Sequence, residues 1–256
     1  MIPRYVPGHG LLRGRTVVIT AAAGAGIGGA TARRCLEEGA RVFLSDAHER
    51  RLDEASAALT AEFGDVPARV CDVTDETQVR ALYAEASERF GRIDVAVNNA
   101  GLGGTAELAD MTDEQWDRVV DVTLTGTMRC TRAALRIMKD QGAGVIVNNA
   151  SVIGWRAQKG QSHYAAAKAG VMALTRCAAL EAAEHGVRIN AVSPSLAMHP
   201  HLAKVTSRDL LEELTGREAF GRHAEPWEVA NVIVFLASDY ASYMTGEVVS
   251  VSSQRA

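Results

Sequence analysis

Lysine is scarce in this chain. Its 256 residues carry 27 basic side chains, of which only Lys139, Lys159, Lys168 and Lys204 are lysines. A basic excess is also absent. The 31 acidic residues leave a formal net charge of −4, which argues against a nucleic-acid partner, because phosphate binding favours a basic surface. There is no long hydrophobic run. The charge-free stretch 17–32 is rich in Gly and Ala, too short and too weakly apolar to span a bilayer. The first fifteen residues, MIPRYVPGHGLLRGR, hold no continuous apolar segment of the signal-peptide kind. No membrane partner is expected. The four cysteines, Cys35, Cys71, Cys130 and Cys177, form no C-x-x-C pair and read as reduced thiols of a cytoplasmic protein. His199 and His201 flank a proline with too few partners for a metal, so no metal is expected.

What is present is an ordinary globular composition, 47% hydrophobic and 23% charged. Apolar runs over 17–20, 41–46, 68–72, 95–99, 144–151, 187–193 and 247–252 read as strands. Between them, 28–38, 49–63, 75–90, 117–140, 164–185 and 226–238 read as helices. The strands are apolar on both faces, as buried parallel strands are. Strand–helix alternation at this spacing means right-handed βαβ crossovers. The expectation is an α/β fold, a doubly wound parallel sheet in one domain over 1–256. The segment 199–221 is insertion-like and follows a strand's carboxyl end, where ligands bind in such sheets. It reads as a short helical lid over about 195–221.

The run TAAAGAGIGGATARR (20–34) follows the first strand and opens the first helix. Gly24, Gly26 and Gly28 permit close backbone approach, and a helix N-terminus presents free N–H groups to a pyrophosphate. Asp46 ends the second strand, where a carboxylate accepts both ribose hydroxyls. No Arg stands there to hold a 2′-phosphate directly, although Arg50 and Arg51 are close. NAD is therefore expected over NADP. Asp72 ends the third strand and has two readings, a contact to adenine or a cap for the following helix.

Tyr164 and Lys168 lie one helical turn apart on one face. Ser151 ends the fifth strand 13 residues earlier, and NNAG (98–101) ends the fourth. With these motifs in this order, the sequence from about Leu12 to Ser253 resembles the short-chain dehydrogenase/reductase family. The resemblance implies a Rossmann-type fold, a nicotinamide cofactor and a homotetramer. It implies that Tyr164 is the acid/base, that Lys168 grips the nicotinamide ribose and that Ser151 holds the substrate oxygen. It adds Ile27, Val73, Asn99, Gly101 and Leu196 to the cofactor site. Physical chemistry agrees: a nearby ammonium and an oxidised nicotinamide both favour the phenolate of a Tyr whose free pKa is about 10. Three departures stand out. The usual Thr-Gly is Thr20-Ala21. The usual Asn of the long helix, which props a proton-relaying water, is Thr123. The usual Pro-Gly is Pro194-Ser195, with His199 where a Thr is common.

The segments TAAAGAGIGGATARR, NNASVIGWRAQKGQSHYAAAKAG and EPWEVANVIVFLASDYASYMTGEVVSVS resemble dehydrogenases of bacterial steroid breakdown. Those act on coenzyme A thioesters of the C/D-ring remnant. The expected function is NAD(H)-dependent interconversion of a secondary alcohol and a ketone. Alternatives are a 3-oxoacyl-thioester reductase and a non-catalytic nucleotide-binding subunit. Trp155 reads either as an aromatic wall of the substrate cleft or as a loop anchor. Trp116 and Trp227 read as core. Arg156, Lys159, Arg208, Arg217 and Arg222 read as solvated charges or as contacts to coenzyme A phosphates. His163 reads as a spectator beside Tyr164 or as its tuner. The helices 117–140 and 164–185 are apolar on more than one face, which calls for a second partner.

Overall fold

Seven short apolar runs become seven parallel strands. The computed structural model describes residues 2–198 and 208–254. The strands are β1 (Thr16–Ile19), β2 (Arg41–Asp46), β3 (Ala68–Val70), β4 (Val95–Asn98), β5 (Gly144–Asn149), β6 (Val187–Pro194) and β7 (Val248–Val251). They form one sheet in the order β3-β2-β1-β4-β5-β6-β7. Val17 of β1 pairs with Val42 on one side and Val95 on the other. The winding therefore reverses between β1 and β4, and the crevice at such a switch point is where ligands bind.

Successive strand residues point to opposite faces. Val17, Ile19, Val42, Leu44, Val95 and Val97 enter one core layer with α1 (Ile27–Glu37), α2 (Glu49–Phe63) and a late helix over Pro226–Ala237. Their neighbours Val18, Phe43 and Ala96 enter the other layer, against α3 (Glu76–Phe90) and the long helices that follow. This is why the strands read as continuously apolar.

β2 and α2 have the bounds expected from the sequence, and α3 starts one residue later than expected. Asp75 caps α3, accepting from the N–H groups of Thr77 (2.7 Å) and Gln78 (3.2 Å). The long helix differs. It begins at Asp113, not 117, because Thr112 and Gln115 form a capping box. It is also interrupted: α4 (Asp113–Val120) passes through a π-helical turn, Asp121–Thr125, into α5 (Gly126–Gln141). Then come α6 (Ser162–Ala183), α7 (Arg208–Gly216) and α8 (Pro226–Ala237). β3 stops at Val70, short of 72. α7 lies in the stretch read as a lid, and none of its residues is buried. Expectations for His199, His201 and Lys204 lie outside the described residues.

Trp116 was expected in the core but is 38% exposed. It sits in the outward-facing first turn of α4, where Val119 alone is buried. Trp227 is half-buried and meets Tyr5 edge-on, with ring centroids 5.2 Å apart. Cys35, Cys71 and Cys130 are buried and Cys177 is exposed, all as free thiols. Among the described residues no helix is long and apolar enough to cross a membrane, and no group of side chains is placed to hold a metal.

Candidate active site

A cleft of about 1120 Å³ crosses the carboxyl ends of β1, β2, β4, β5 and β6. The end beside the glycine turn is shaped by backbone. A Cβ on Gly28 would lie 2.1 Å from the Ala21 carbonyl oxygen and 2.5 Å from Asn99 Nδ2. A Cβ on Gly29 would lie 1.9 Å from the Gly24 carbonyl oxygen. The turn closes on the start of α1 too tightly for side chains, which leaves the helix N-terminus facing the cleft. Ala21, which follows Thr20 in this turn, has φ at 51°, the left-handed region.

Asn99 ties this turn to the next strands. Its Nδ2 donates to the carbonyls of Thr20 (3.3 Å) and Ala21 (3.1 Å), and its Oδ1 accepts from Asn149 Nδ2 at 2.9 Å. Asn98, one residue earlier, faces the other side of the sheet. It joins a buried network with Tyr83, Thr131 and Asn148 that reaches Thr175. The two asparagines of NNAG thus split into one cleft residue and one core residue. The core half is signalled in the sequence only by the two-residue period of a strand.

Asp46 lines the cleft at the end of β2. Its two oxygens each accept one backbone N–H, from Ala23 (3.2 Å) and His48 (2.9 Å). Each oxygen keeps spare acceptor capacity. Arg51 Nη2 stands 3.9 Å away. Asp72 and Val73 line the same end. Asp72 accepts from both the N–H and the hydroxyl of Thr74 (2.9 and 2.8 Å), while the cap of α3 falls to Asp75. Gly24, Gly26, Ile27, Gly101 and Leu196 also line the cleft.

At the other end Ser151, Tyr164 and Lys168 come together on the cleft wall. Ser151 lies just beyond β5, and Tyr164 and Lys168 share the first turns of α6. Lys168 is buried. Its Nζ donates to the Asn149 carbonyl and stands 5.6 Å from the Tyr164 ring centroid. Burial pushes the Lys168 ammonium down to about 7. Burial also pushes the Tyr164 phenol up to about 12, against the lowering effect of a hydrogen bond from Ser151. The expected lowering of Tyr164 by Lys168 is thus outweighed in the chain alone, because desolvation disfavours both charged forms.

Thr123 is buried just behind the cleft. Its hydroxyl accepts from the Leu102 N–H (2.9 Å) and donates to the Leu102 carbonyl (3.1 Å). His163 is buried and its Nε2 packs under Gly104, with Nδ1 unpartnered among the described residues. Trp155 is 50% exposed and does not line the cleft. The cations considered for coenzyme A have partners: Lys159 with Glu107, Arg208 with Glu212, Arg217 with Glu213, Arg222 with Glu228 and Arg156 with Gln254.

Comparison with known proteins places this geometry. The family described as enoyl-(acyl carrier protein) reductase matches residues 21–253. The chain is 65% identical, over 98% of its length and 97% of the relative's, to a Mycobacterium tuberculosis protein. That protein is named (5R,7aS)-5-hydroxy-7a-methyl-1-oxo-2,3,5,6,7,7a-hexahydro-1H-indene-carboxyl-CoA reductase. A short chain dehydrogenase from Mycobacterium smegmatis superposes with TM-score 0.89 at 61% identity, covering 100% of this chain and 99% of that one. An NAD+-bound xylitol dehydrogenase superposes with TM-score 0.89 at 31% identity, covering 94% and 99%. The glycine turn at the switch point, the three side chains at the far end of the cleft and these relatives agree: the chain belongs to the short-chain dehydrogenase/reductase family, and is an oxidoreductase that interconverts CH–OH and C=O groups.

Proposed function

We propose that this enzyme is NAD(H)-dependent and interconverts a ring alcohol and its ketone on a coenzyme A thioester of the hexahydroindene class, the fused-ring remnant of a steroid. The reading is carried by the convergence of Ser151, Tyr164 and Lys168 at one end of a cleft whose other end is the glycine turn. The substrate class is supported by the 65% identical reductase. Neither Trp155 nor the paired surface cations add to it.

In this reading the glycine turn and the start of α1 hold the pyrophosphate. Asp46 accepts from the ribose hydroxyls with its spare lone pairs. Asp72 and Val73 flank the adenine, and Asn99, Gly101 and Leu196 border the nicotinamide half. Lys168 binds the second ribose. Ser151 donates to the substrate oxygen, where charge develops, and Tyr164 gives or takes the proton. A bound oxidised nicotinamide supplies the hydride acceptor and a positive charge that favours the phenolate. Thr123 acts through Leu102, holding the turn that carries Gly101, so the relay expected of an Asn is not its main task. Asp46 would repel a 2′-phosphate, which sets NAD ahead of NADP.

The stretch 195–221 serves as the lid of a single catalytic domain. Three buried free thiols suit a cytoplasmic enzyme. α6 exposes Ala166, Ala173, Cys177 and Leu180 at helical spacing, with Leu180 76% exposed. Paired across two-fold axes, such faces give a homotetramer. Light scattering at micromolar concentration reads this, and a monomer overturns it.

The functional test is kcat/KM with NAD and NADP on the hexahydroindene thioester and on 3-hydroxybutyryl-CoA. NAD should lead by at least about tenfold, the effect of about 1.4 kcal/mol of charge repulsion. A lead for NADP overturns the cofactor reading. Faster turnover of the linear thioester favours 3-oxoacyl-thioester reduction instead.

A further inference from the structure

Glu218 is a buried carboxylate that the reaction does not use. It is 2% exposed, although it follows the wholly unburied α7 and precedes Phe220, which is 74% exposed. Burying an anion is costly unless donors meet it. Here one residue supplies them. Glu218 Oε2 accepts from the N–H of Ser253 at 3.1 Å and from its hydroxyl at 2.9 Å. The Ala219 N–H donates to the Ser253 carbonyl, and Glu218 pairs with Gln254 as an isolated antiparallel bridge. Glu218 Oε1 has no hydrogen-bond partner among the described residues.

The chain of contacts continues toward the reacting end of the cleft. Gln254 Oε1 accepts from Arg156. The Arg156 N–H donates to the Val152 carbonyl at 3.0 Å, and Ser151 Oγ accepts from the Ile153 N–H at 3.3 Å. The base of the lid is therefore joined, through Ser253, Gln254 and Arg156, to the short turn that carries Ser151. The inner side of the same segment is held separately. Ala197 bridges to Ala224, and the Leu196 carbonyl accepts from the Ala224 N–H at 2.8 Å. The described parts of this connection are thus held at two separate edges, and none of the outer contacts touches the glycine turn.

We infer that Glu218 is a positioning residue: through Ser253 and Gln254 it sets the base of the lid against the Ser151 turn, and so sets the fit of the substrate and not of the cofactor. The inference rests on the reading of Ser151 as the residue that meets the substrate oxygen. A buried anion with half its acceptor capacity unused is a poor source of stability and a good way to specify one arrangement.

Glu218→Ala, Glu218→Gln and Ser253→Ala in the full chain test this. Amide hydrogen exchange is the first measurement and needs no turnover. Glu218→Ala should speed exchange both in 208–221 and in 152–158. Glu218→Gln keeps an acceptor for both Ser253 donors and should change neither. Ser253→Ala should shift both segments in the same direction by less. Faster exchange in 208–221 with 152–158 unchanged overturns the coupling, as does an unchanged Ser253→Ala protein should Glu218→Ala fail to fold. Steady-state kinetics with NAD and the hexahydroindene thioester is the second measurement. Glu218→Ala should raise the substrate KM about tenfold and leave the cofactor KM within about twofold, since misplacing a wall by a fraction of an ångström costs at that scale. Glu218→Gln should restore wild-type KM. Equal rises for cofactor and substrate overturn the proposal. A wild-type enzyme inactive on the thioester overturns the substrate reading and leaves the exchange result to decide the clasp.

Discussion

Two connections leave carboxyl ends of the same sheet and face the same cleft, and they are built in opposite ways. The turn after β1 spends seven residues, 20–26, and is held through its own backbone groups. The Ala22 N–H donates to the Ser45 carbonyl, the Ala23 N–H to Asp46, and Asn99 donates to two of its carbonyls. The connection after β6 runs from Ser195 to Glu225, includes α7 with no buried residue, and is held at its edges by Ala224 and by Glu218. A pyrophosphate has one shape, so a rigid cradle of amides serves it. Substrates differ in shape, so a peripheral segment pinned at its edges can change without disturbing the sheet.

Tyr164→Phe acts in the cleft that both connections face and should have the largest effect. It keeps the ring and removes the proton. Turnover should fall by about 10²–10⁴, the usual worth of positioned acid/base catalysis. Cofactor binding, followed by fluorescence titration, should persist. A variant retaining more than about a tenth of the wild-type rate would show that the proton comes from elsewhere.

A matched pair of substitutions contrasts the two connections directly. Helix propensity alone makes Gly→Ala favourable by roughly 1 kcal/mol. At Gly28 the new Cβ would press on the Ala21 carbonyl at 2.1 Å, whereas at Gly216, the end of α7, it meets nothing within 4 Å. Gly28→Ala should cost about 1–3 kcal/mol by overpacking and weaken NAD binding. Gly216→Ala should gain up to about 1 kcal/mol and leave NAD binding alone. Denaturant melts and cofactor titrations of both proteins check the contrast, and equal shifts would erase it.

Lys168 makes its end of the cleft a source of pH-dependent instability. Its ammonium is depressed from 10.5 to about 7 by burial. Between those values the unfolded chain binds more protons than the folded one. Stability without cofactor therefore rises as pH goes from 7 toward 10.5, and the penalty is full below 7. Lys168→Met removes that charge and gives up the hydrogen bond to the Asn149 carbonyl. The variant should be more stable than wild type at pH 6–7 by about 1–3 kcal/mol, with the gap closing toward pH 10. Melting temperatures across pH read this, and a pH-independent difference would refute it.

The same contrast governs what could be read from sequence. β2 and α2 were legible to the residue, and the glycine turn, Asp46, Asn99, Ser151, Tyr164 and Lys168 all line one cleft. Their signals are local: apolar runs, caps and residues that must follow a strand end. The start of α4 was missed because DEQWD has no apolar period, although Thr112 and Gln115 announce a capping box. The π-helical turn at Asp121–Thr125 has no such local mark. Glu218 and Ser253 are 35 residues apart in the sequence, and nothing local tells a buried Glu from the exposed ones beside it.

Thr123 shows how a departure from the family pattern is absorbed. Its buried hydroxyl meets both the N–H and the carbonyl of Leu102. Thr123→Val keeps the shape and leaves two backbone groups unpaired. That should cost about 1–2 kcal/mol of stability and lower kcat by displacing the Gly101 turn. Thr123→Asn, which can restore both bonds, should stay near wild type. If Thr123→Val matches wild type in melting temperature and kcat, the Leu102 contact is not what the position is for.

Ala21 should give the smallest effect and the sharpest one. It is the one non-glycine residue with positive φ among those described, at 51°. An L-residue in that region costs roughly 1–2 kcal/mol, from the approach of Cβ to the backbone. Glycine removes the cost but brings an unfolded chain with more freedom, which takes back about 0.4–1 kcal/mol. The difference predicts that Ala21→Gly stabilises the protein by about 0.5–1 kcal/mol. The substitution leaves every backbone contact of the turn in place, since the Ala21 carbonyl and not its side chain receives Asn99. NAD affinity should therefore hold or improve slightly. A loss of stability on Ala21→Gly would mean that the Ala21 methyl packs favourably enough to outweigh its strain. The turn after β1 would then be held by packing of its own side chains as well as through its backbone groups.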